Sequence, residues 1–462
     1  MSNENAKKLG FFSIVLLTIN SIIGSGIFLS PSAVVLSSGK YAPVVYFAAA
    51  IFAAILAISF ASAAKYVNKA GAAYAYAKAA FGANVGFYVG ITRFFAAAIA
   101  WGVMATAVVK TVLGLFIEKN YLNEHNFFLV TVGFLVLMFV LFLINIAGSK
   151  VFKFINSLSA IGKILALIVT IAVGFIAIML GAPNHFNDIE SIVNPKTNEL
   201  LKIDMDVELF VGAMIAAFYA FTGFESVASG ANDMQKPEKN LPKAIPLAIL
   251  IVAFIYIGII LVCLMLNPKD LIQSNETVVL VSVFENELIK QIIFWGSLVS
   301  MFGINVAASF HTPRILEAIA NEKQIPDFIA QRTSNNFPLI AFVITIFLAI
   351  LIPISFAYNI VSILIISSIS RFIQFLLVPL GVIMFYYGKN KEEIIKSAKK
   401  NFVTDVLISI LSIALSIFLL IKFNWVKQFS IDNSINYYAI ISMMFGYVFM
   451  PALLFFVKNK RE

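Results

Sequence analysis

The chain has 462 residues, of which 61% are hydrophobic, 14% aromatic and only 12% charged. A water-soluble protein of this length would be about one quarter charged, so the composition reads as an all-α polytopic membrane protein. Forty-five phenylalanines exclude collagen-like, disordered and coiled-coil chains. The net charge of +9 would suggest nucleic acid in a soluble chain, but here it marks the sides of a membrane and no nucleic-acid partner is expected. One cysteine, Cys263, and three scattered histidines, His125, His185 and His311, support neither a disulfide framework nor a metal site.

A transmembrane helix needs about 20 mostly apolar residues. Twelve stretches meet this: 11–30, 42–64, 85–116, 126–146, 151–180, 207–230, 243–266, 290–318, 337–356, 359–387, 403–422 and 435–457. The first reads as a retained helix rather than a signal peptide. With Met1 in the cytoplasm, most lysines and arginines fall on inside segments, with Lys389, Lys391, Lys396, Lys399 and Lys400 clustered in one of them. The positive-inside rule then places both termini in the cytoplasm of a cell, or inner, membrane. The polar stretches near 181–206, 267–289 and 388–402 are too short for an ATPase or kinase domain, and no Walker sequence is present.

Two spans are interrupted by glycine at similar depth. Span 1 carries Asn20-Ser21-Ile22-Ile23-Gly24-Ser25-Gly26, and span 6 carries Tyr219-Ala220-Phe221-Thr222-Gly223-Phe224-Glu225. Matched interruptions, one opening each half of the chain, point to an inverted-repeat transporter that holds substrate at the midplane. The halves are residues 1–180 (spans 1–5) and 181–388 (spans 6–10), with 389–462 adding spans 11 and 12. Unwinding at Gly24 to Gly26 frees N–H groups that favour a carboxylate, while carbonyls around Ile22 and around Tyr219 to Thr222 face an ammonium. An α-amino acid supplies both charges. The rival reading is that these glycines serve close helix packing.

These residues also carry a family resemblance. Gly24-Ser25-Gly26-Ile27-Phe28 with Pro31 is one segment, and Lys69-Ala70-Gly71-Ala72-Ala73-Tyr74-Ala75-Tyr76 leading to Phe81-Gly82 is a second. A third is Phe221-Thr222-Gly223-Phe224-Glu225 with Lys236-Pro237-Glu238-Lys239-Asn240-Leu241-Pro242, and a fourth is Asn321-Glu322-Lys323-Gln324-Ile325-Pro326 after span 8. Together they resemble the amino acid, polyamine and organocation (APC) transporter superfamily, in its amino acid permease branch. The resemblance implies a five-plus-five inverted repeat with alternating access, broken helices 1 and 6, and two extra C-terminal helices. It assigns the substrate carboxylate to Ser25 and Gly26, and the amino group to carbonyls near Ile22, Tyr219 and Thr222 beside Gly223. It also assigns an aromatic gate to Tyr219 or Phe221. Trp101 falls where several members have a smaller polar residue, and Ala308 where arginine-transporting members place tryptophan.

Five charged residues fall at least five residues inside the ends of predicted spans: Arg93, Lys110, Lys163, Arg371 and Glu225. A charged lysine as deep as Lys163 costs about 3 kcal/mol to insert. By resemblance to the span-5 lysine of sodium-independent members, its ammonium stands in for a coupling sodium and is placed to exchange a proton; the rival reading is a lysine that snorkels to the inner face. Glu225 is a proton-sensing or gate-linking group, or a structural tie between the half-helices. Arg93 and Lys110 are expected to reach headgroups. Arg371, with Ser368 and Gln374 as neighbours, shapes a gate or binds an acidic substrate side chain.

The expectation is a sodium-independent secondary amino acid carrier, proton-coupled or an exchanger, for neutral L-amino acids. It needs no cofactor or metal and is not an enzyme, and monomer and homodimer both stay open. Its partners are the amino acid, a proton or counter-substrate, and membrane lipid. The alternatives are a cationic amino acid or polyamine carrier, disfavoured by one acid against four cations, and a channel or receptor.

Overall fold

The computed structural model describes residues 8–24, 26–117, 126–195, 198–273, 278–355, 371–423, 425–428, 430–431, 434–435 and 437–459. It is an all-α polytopic membrane protein. Among the described residues eight helices are long and apolar enough to cross a membrane, and four shorter apolar helices accompany them. In chain order the main helices are α1 (Phe11–Ile22), α2 (Gly26–Ser38), α3 (Ala42–Tyr66), α4 (Ala73–Phe81) and α5 (Ala83–Phe116). There follow α6 (Asn126–Ile146), α7 (Ser149–Met179), α8 (Val207–Tyr219), a 3-10 segment Phe224–Asp233 and α9 (Pro237–Leu266). The chain continues through α10 (Glu287–Asn321), α11 (Leu339–Ser355), α12 (Phe372–Tyr386), α13 (Ile408–Lys422), α14 (Tyr437–Met444) and α15 (Met450–Asn459). Two-residue strands Ser430–Ile431 and Ser434–Ile435 pair before α14.

The periodicity of burial separates core from lipid face. Helices α6 and α7 turn Phe128, Phe139, Phe154 and Leu165 outward, as expected of the rim of a bundle in lipid. α1, α5 and α10 are buried along most of their length. The predicted span 1 is two helices, α1 and α2, parted at Ile23 and Gly24, and the predicted span 6 is α8 followed by the 3-10 segment, parted at Gly223. The halves cross: α1 packs on the 3-10 segment and α2 packs on α8. Glycine makes the crossing possible. A Cβ at Gly26 would lie 3.2 Å from Ala220, one at Gly24 would collide with Ile304, and one at Gly223 would collide with the Ser21 carbonyl.

Helix α4 was not among the expected spans. Its residues are nearly all buried, and it packs against α5 and α12. After α12 the chain folds back under it. The N–H groups of Lys391 and Glu392 donate to the Ala79 carbonyl at 2.8 and 3.1 Å, and that of Ile395 donates to the Tyr66 carbonyl at 2.9 Å. Lys65 adds an ion pair to Asp405 at 2.6 Å, joining α3 to the turn that opens α13.

One end of the bundle is closed by two ionic clusters. Arg314 on α10 meets Asp233 at 2.6 Å, and Arg332 bridges Asp233 at 3.0 Å to Glu317. Lys78 on α4 meets Glu322 at 2.5 Å and Glu392 at 3.2 Å. Leu9 joins this end by backbone bonds to Asp233 and Gln235, both 2.9 Å.

Candidate functional site

Breaking α1 at its C-terminus leaves carbonyls without helical partners, and the structure supplies donors to them from two other helices. Lys163 of α7 is fully buried, and its Nζ donates to the Ile23 carbonyl, to Ser300 O at 3.2 Å and to Asn20 O at 3.5 Å. Ser300 Oγ of α10 donates to the carbonyls of Ile23 and Gly24, at 3.3 and 3.2 Å. Below them Asn20 Nδ2 donates to Asn156 Oδ1 at 2.9 Å, Ser159 Oγ at 3.0 Å and Gly303 O at 2.8 Å, pinning α1 to α7 and α10.

The break in span 6 is held differently. Gly223 has φ +119°, in the left-handed region, and its N–H donates to Glu225 Oε2 at 2.7 Å. The Tyr219 carbonyl accepts from the Thr222 N–H and hydroxyl, at 3.1 and 2.8 Å. The Ala220 carbonyl accepts from Tyr256 O–H at 3.1 Å. The other oxygen of Glu225 accepts from Arg371 Nη1 at 2.9 Å and lies 3.5 Å from Arg93 Nη2, which also donates to Ser226 Oγ. Glu225 therefore ties the span-6 break to α5 and to the start of α12.

Beside this arrangement lies a cavity of about 20 Å³, room for a water molecule or so. An amino acid enters it only if the walls part. Its wall includes Ser21, Thr222 and Gly223 from the breaks, Arg93, Trp101 and Ser226, Ile304, Ala308 and His311 of α10, and Arg371. Of the expected site residues, the structure thus brings together Thr222, Gly223, Trp101, Ala308 and Arg371, with Glu225 paired behind them. Ile22, Gly26, Tyr219 and Phe221 are not on this wall. Phe221 is buried against Tyr256, with ring centroids 5.0 Å apart. The Tyr219 hydroxyl is buried without a hydrogen-bond partner among the described residues. Ser25, His125 and Ser368 lie outside the described residues.

Two readings need correction. Arg93 does not reach headgroups: it is 3% exposed and turned inward onto Glu225 and Ser226. Depth along one helix could not reveal a partner 132 residues away. Arg371 takes Glu225 as a partner, while Gln374, expected beside it, finds no side-chain partner among the described residues. His311 is buried, hydrogen-bonds through Nδ1 with Thr312 Oγ1 at 3.3 Å and lines the cavity.

The amino acid permease family model matches residues 9–445, nearly the whole bundle. The chain belongs to the amino acid permease family. It is a membrane transporter family, so the protein is a multi-pass transporter and not an enzyme. The chain is similar to an uncharacterized transporter of Mycobacterium tuberculosis, 37% identical over 97% of this chain and 94% of the relative. It is also similar to the serine/threonine exchanger SteT of Bacillus subtilis, 27% identical over 73% of each chain. A third likeness is to the large neutral amino acids transporter small subunit 2 of Mus musculus, 26% identical over 70% of this chain and 60% of that protein.

Proposed function

We propose that this amino acid permease is a sodium-independent secondary carrier of α-amino acids that works by alternating access, coupled to protons or to a counter-substrate. The observation that carries this is Lys163. Its ammonium occupies the carbonyls left by the break in span 1, Asn20 and Ile23, where a coupling cation would otherwise find its ligands. The crossed half-helices support the inverted repeat of residues 1–180 and 181–388, in which substrate meets both breaks from one cavity. The ionic clusters at the Asp233 and Glu322 end support a closed cytoplasmic gate. With it go cytoplasmic termini and residence in the cell membrane.

For substrate class, neutral L-amino acids are supported by the names of the serine/threonine exchanger and the large neutral amino acids transporter, and by Ala308 in the cavity wall. The charges of the wall favour a different class, argued below. A polyamine or cationic amino acid is disfavoured, because two guanidiniums face the cavity and the one carboxylate beside them is already paired.

The test is counterflow in proteoliposomes with no imposed gradient, screening the twenty amino acids and common polyamines against a labelled internal pool. Saturable, stereoselective exchange of L-amino acids is expected. Absence of exchange with all of them, both with and without an imposed proton gradient, overturns the carrier reading.

A further inference from the structure

We infer that the substrate carries a second carboxylate, and that Arg93 with Trp101 forms the subsite that receives it. The inference rests on the amino acid carrier reading above and names its substrate class as acidic α-amino acids.

The starting point is charge balance in a medium where imbalance is costly. Arg93 and Arg371 are both 3% exposed, and both turn to the same Glu225 oxygen, at 3.5 and 2.9 Å. Two guanidiniums against one carboxylate leave one positive charge in excess. The part of span 10 beyond the described residues contributes no counter-charge, since the sequence has no Asp or Glu between Asp327 and Glu392. His311, which shares the wall, adds no negative charge in either protonation state.

The second observation is hydrogen bonding. Arg93 spends Nη2 on Ser226, while its Nε and Nη1 are buried with no acceptor among the described residues. Trp101 is fully buried, lines the same cavity and has an Nε1–H in the same condition. Buried N–H groups ordinarily find partners. Here three of them, on two side chains of one helix two turns apart that line one cavity, have no acceptor among the described residues. A carboxylate supplies an acceptor for each and the missing negative charge together, and guanidinium suits it by forked geometry.

Placement separates this subsite from the backbone groups at the breaks. One cavity is lined by Ser21 and Gly223 at the breaks as well as by Arg93, Trp101, Arg371 and His311. The α-carboxylate and amino group belong at the backbone groups of the breaks and the side-chain carboxylate at Arg93 and Trp101. A neutral side chain would bury the unpaired guanidinium donors without compensation. Specificity of this kind comes from donors left unpaired by the wrong substrate.

The experiment compares L-aspartate and L-glutamate with L-serine, L-leucine and L-lysine as external substrates in counterflow, using wild-type protein and the Arg93→Gln and Trp101→Phe variants. Wild type is expected to exchange the acidic pair at least tenfold faster than the others. Trp101→Phe, which removes one N–H and little volume, should lower apparent affinity for the acidic pair several-fold. Arg93→Gln should abolish the acidic preference, with Arg93→Lys restoring part of it. A monodisperse elution profile shows which variants fold, and should Arg93→Gln not fold, Trp101→Phe decides alone. Exchange of neutral amino acids with none of the acidic ones overturns the second-carboxylate subsite and leaves the carrier intact. Equal exchange of both classes, indifferent to Trp101→Phe and Arg93→Gln, overturns it too. Exchange of no amino acid overturns the carrier reading and this inference with it.

Discussion

Gly223 presses its Cα against the carbonyl oxygen of Ser21, so the breaks of spans 1 and 6 touch backbone to backbone at the centre of the bundle. Any side chain at 223 would both enter that oxygen and hold φ at +119°, where a left-handed conformation alone costs about 1–2 kcal/mol for a residue with a Cβ. Gly223→Ala is expected to abolish counterflow and reduce the yield of folded protein. Gly212→Ala in α8, where an added Cβ meets nothing within 4 Å, should leave both unchanged. Wild-type transport by Gly223→Ala would show that the two breaks are not held together in the working cycle.

At Gly26 the neighbour is Ala220, 3.2 Å from an added Cβ. Gly26→Val should abolish transport by wedging α2 from α8, and Ala220→Gly in the same chain should restore part of it. Failure of the second change to restore any activity, in a protein that folds, would favour obstruction of the freed N–H groups over the wedge.

Lys163→Ala removes the donor to Asn20, Ile23 and Ser300 carbonyls. Unpaired buried carbonyls cost about 1–3 kcal/mol each, so the melting temperature should fall while the protein still elutes as a folded species. Transport should lose its proton dependence or stop. An unchanged rate and unchanged pH profile in that variant remove Lys163 from coupling.

Glu225→Gln leaves two inward guanidiniums without a counter-charge. Breaking a buried ion pair by one partner costs about 3–5 kcal/mol, so this variant should be less stable than Glu225→Gln combined with Arg93→Met, measured by thermal unfolding in detergent. Equal stability of the two would mean that the guanidiniums are balanced by something other than Glu225.

The cluster around Glu322 gives a pH dependence with a definite sign. Burial opposes ionisation of Glu322, but its hydrogen bond to Lys78 and the charges of Lys78 and Lys69 outweigh it and hold the carboxyl below its ordinary value. A depressed carboxylate contributes stability above its unfolded pKa and loses it as pH falls through the folded one. The wild-type melting temperature should therefore drop more steeply on acidification below about pH 4.5 than that of Glu322→Gln. Parallel curves would refute the contribution.

Hydropathy made the spans legible because lipid leaves a helix few choices of sequence, and the glycine interruptions were legible because they stand at matched depths in the two halves. Lys163 was conspicuous for the same reason. What could not be read was lateral. Helix α4 is nine residues long and invisible to a window of span length, and its alanines and tyrosines are covered by α5 and by distant parts of the chain: α12, Phe60 and Gln324. Arg93 lies as near a helix end as many snorkelling arginines, and only the fold shows Glu225 opposite it. Phe221 has the sequence position of a gate, yet its ring is spent on Tyr256, a contact between spans 6 and 7 that no local pattern encodes.

The backbone bonds from Lys391, Glu392 and Ile395 to Ala79 and Tyr66 fasten the chain just beyond the C-terminal end of α12 to the bundle. Between that fastening and the helix stands Gly388, with φ +69°. Sliding α12 along its axis would pull all three bonds at once, at about 1 kcal/mol apiece, whereas tilting it about Gly388 stretches none. Helix α12 is thus mounted as a lever with its fulcrum at Gly388. Arg371 stands at the opposite end of that helix, where a small rotation at Gly388 is turned into a larger displacement.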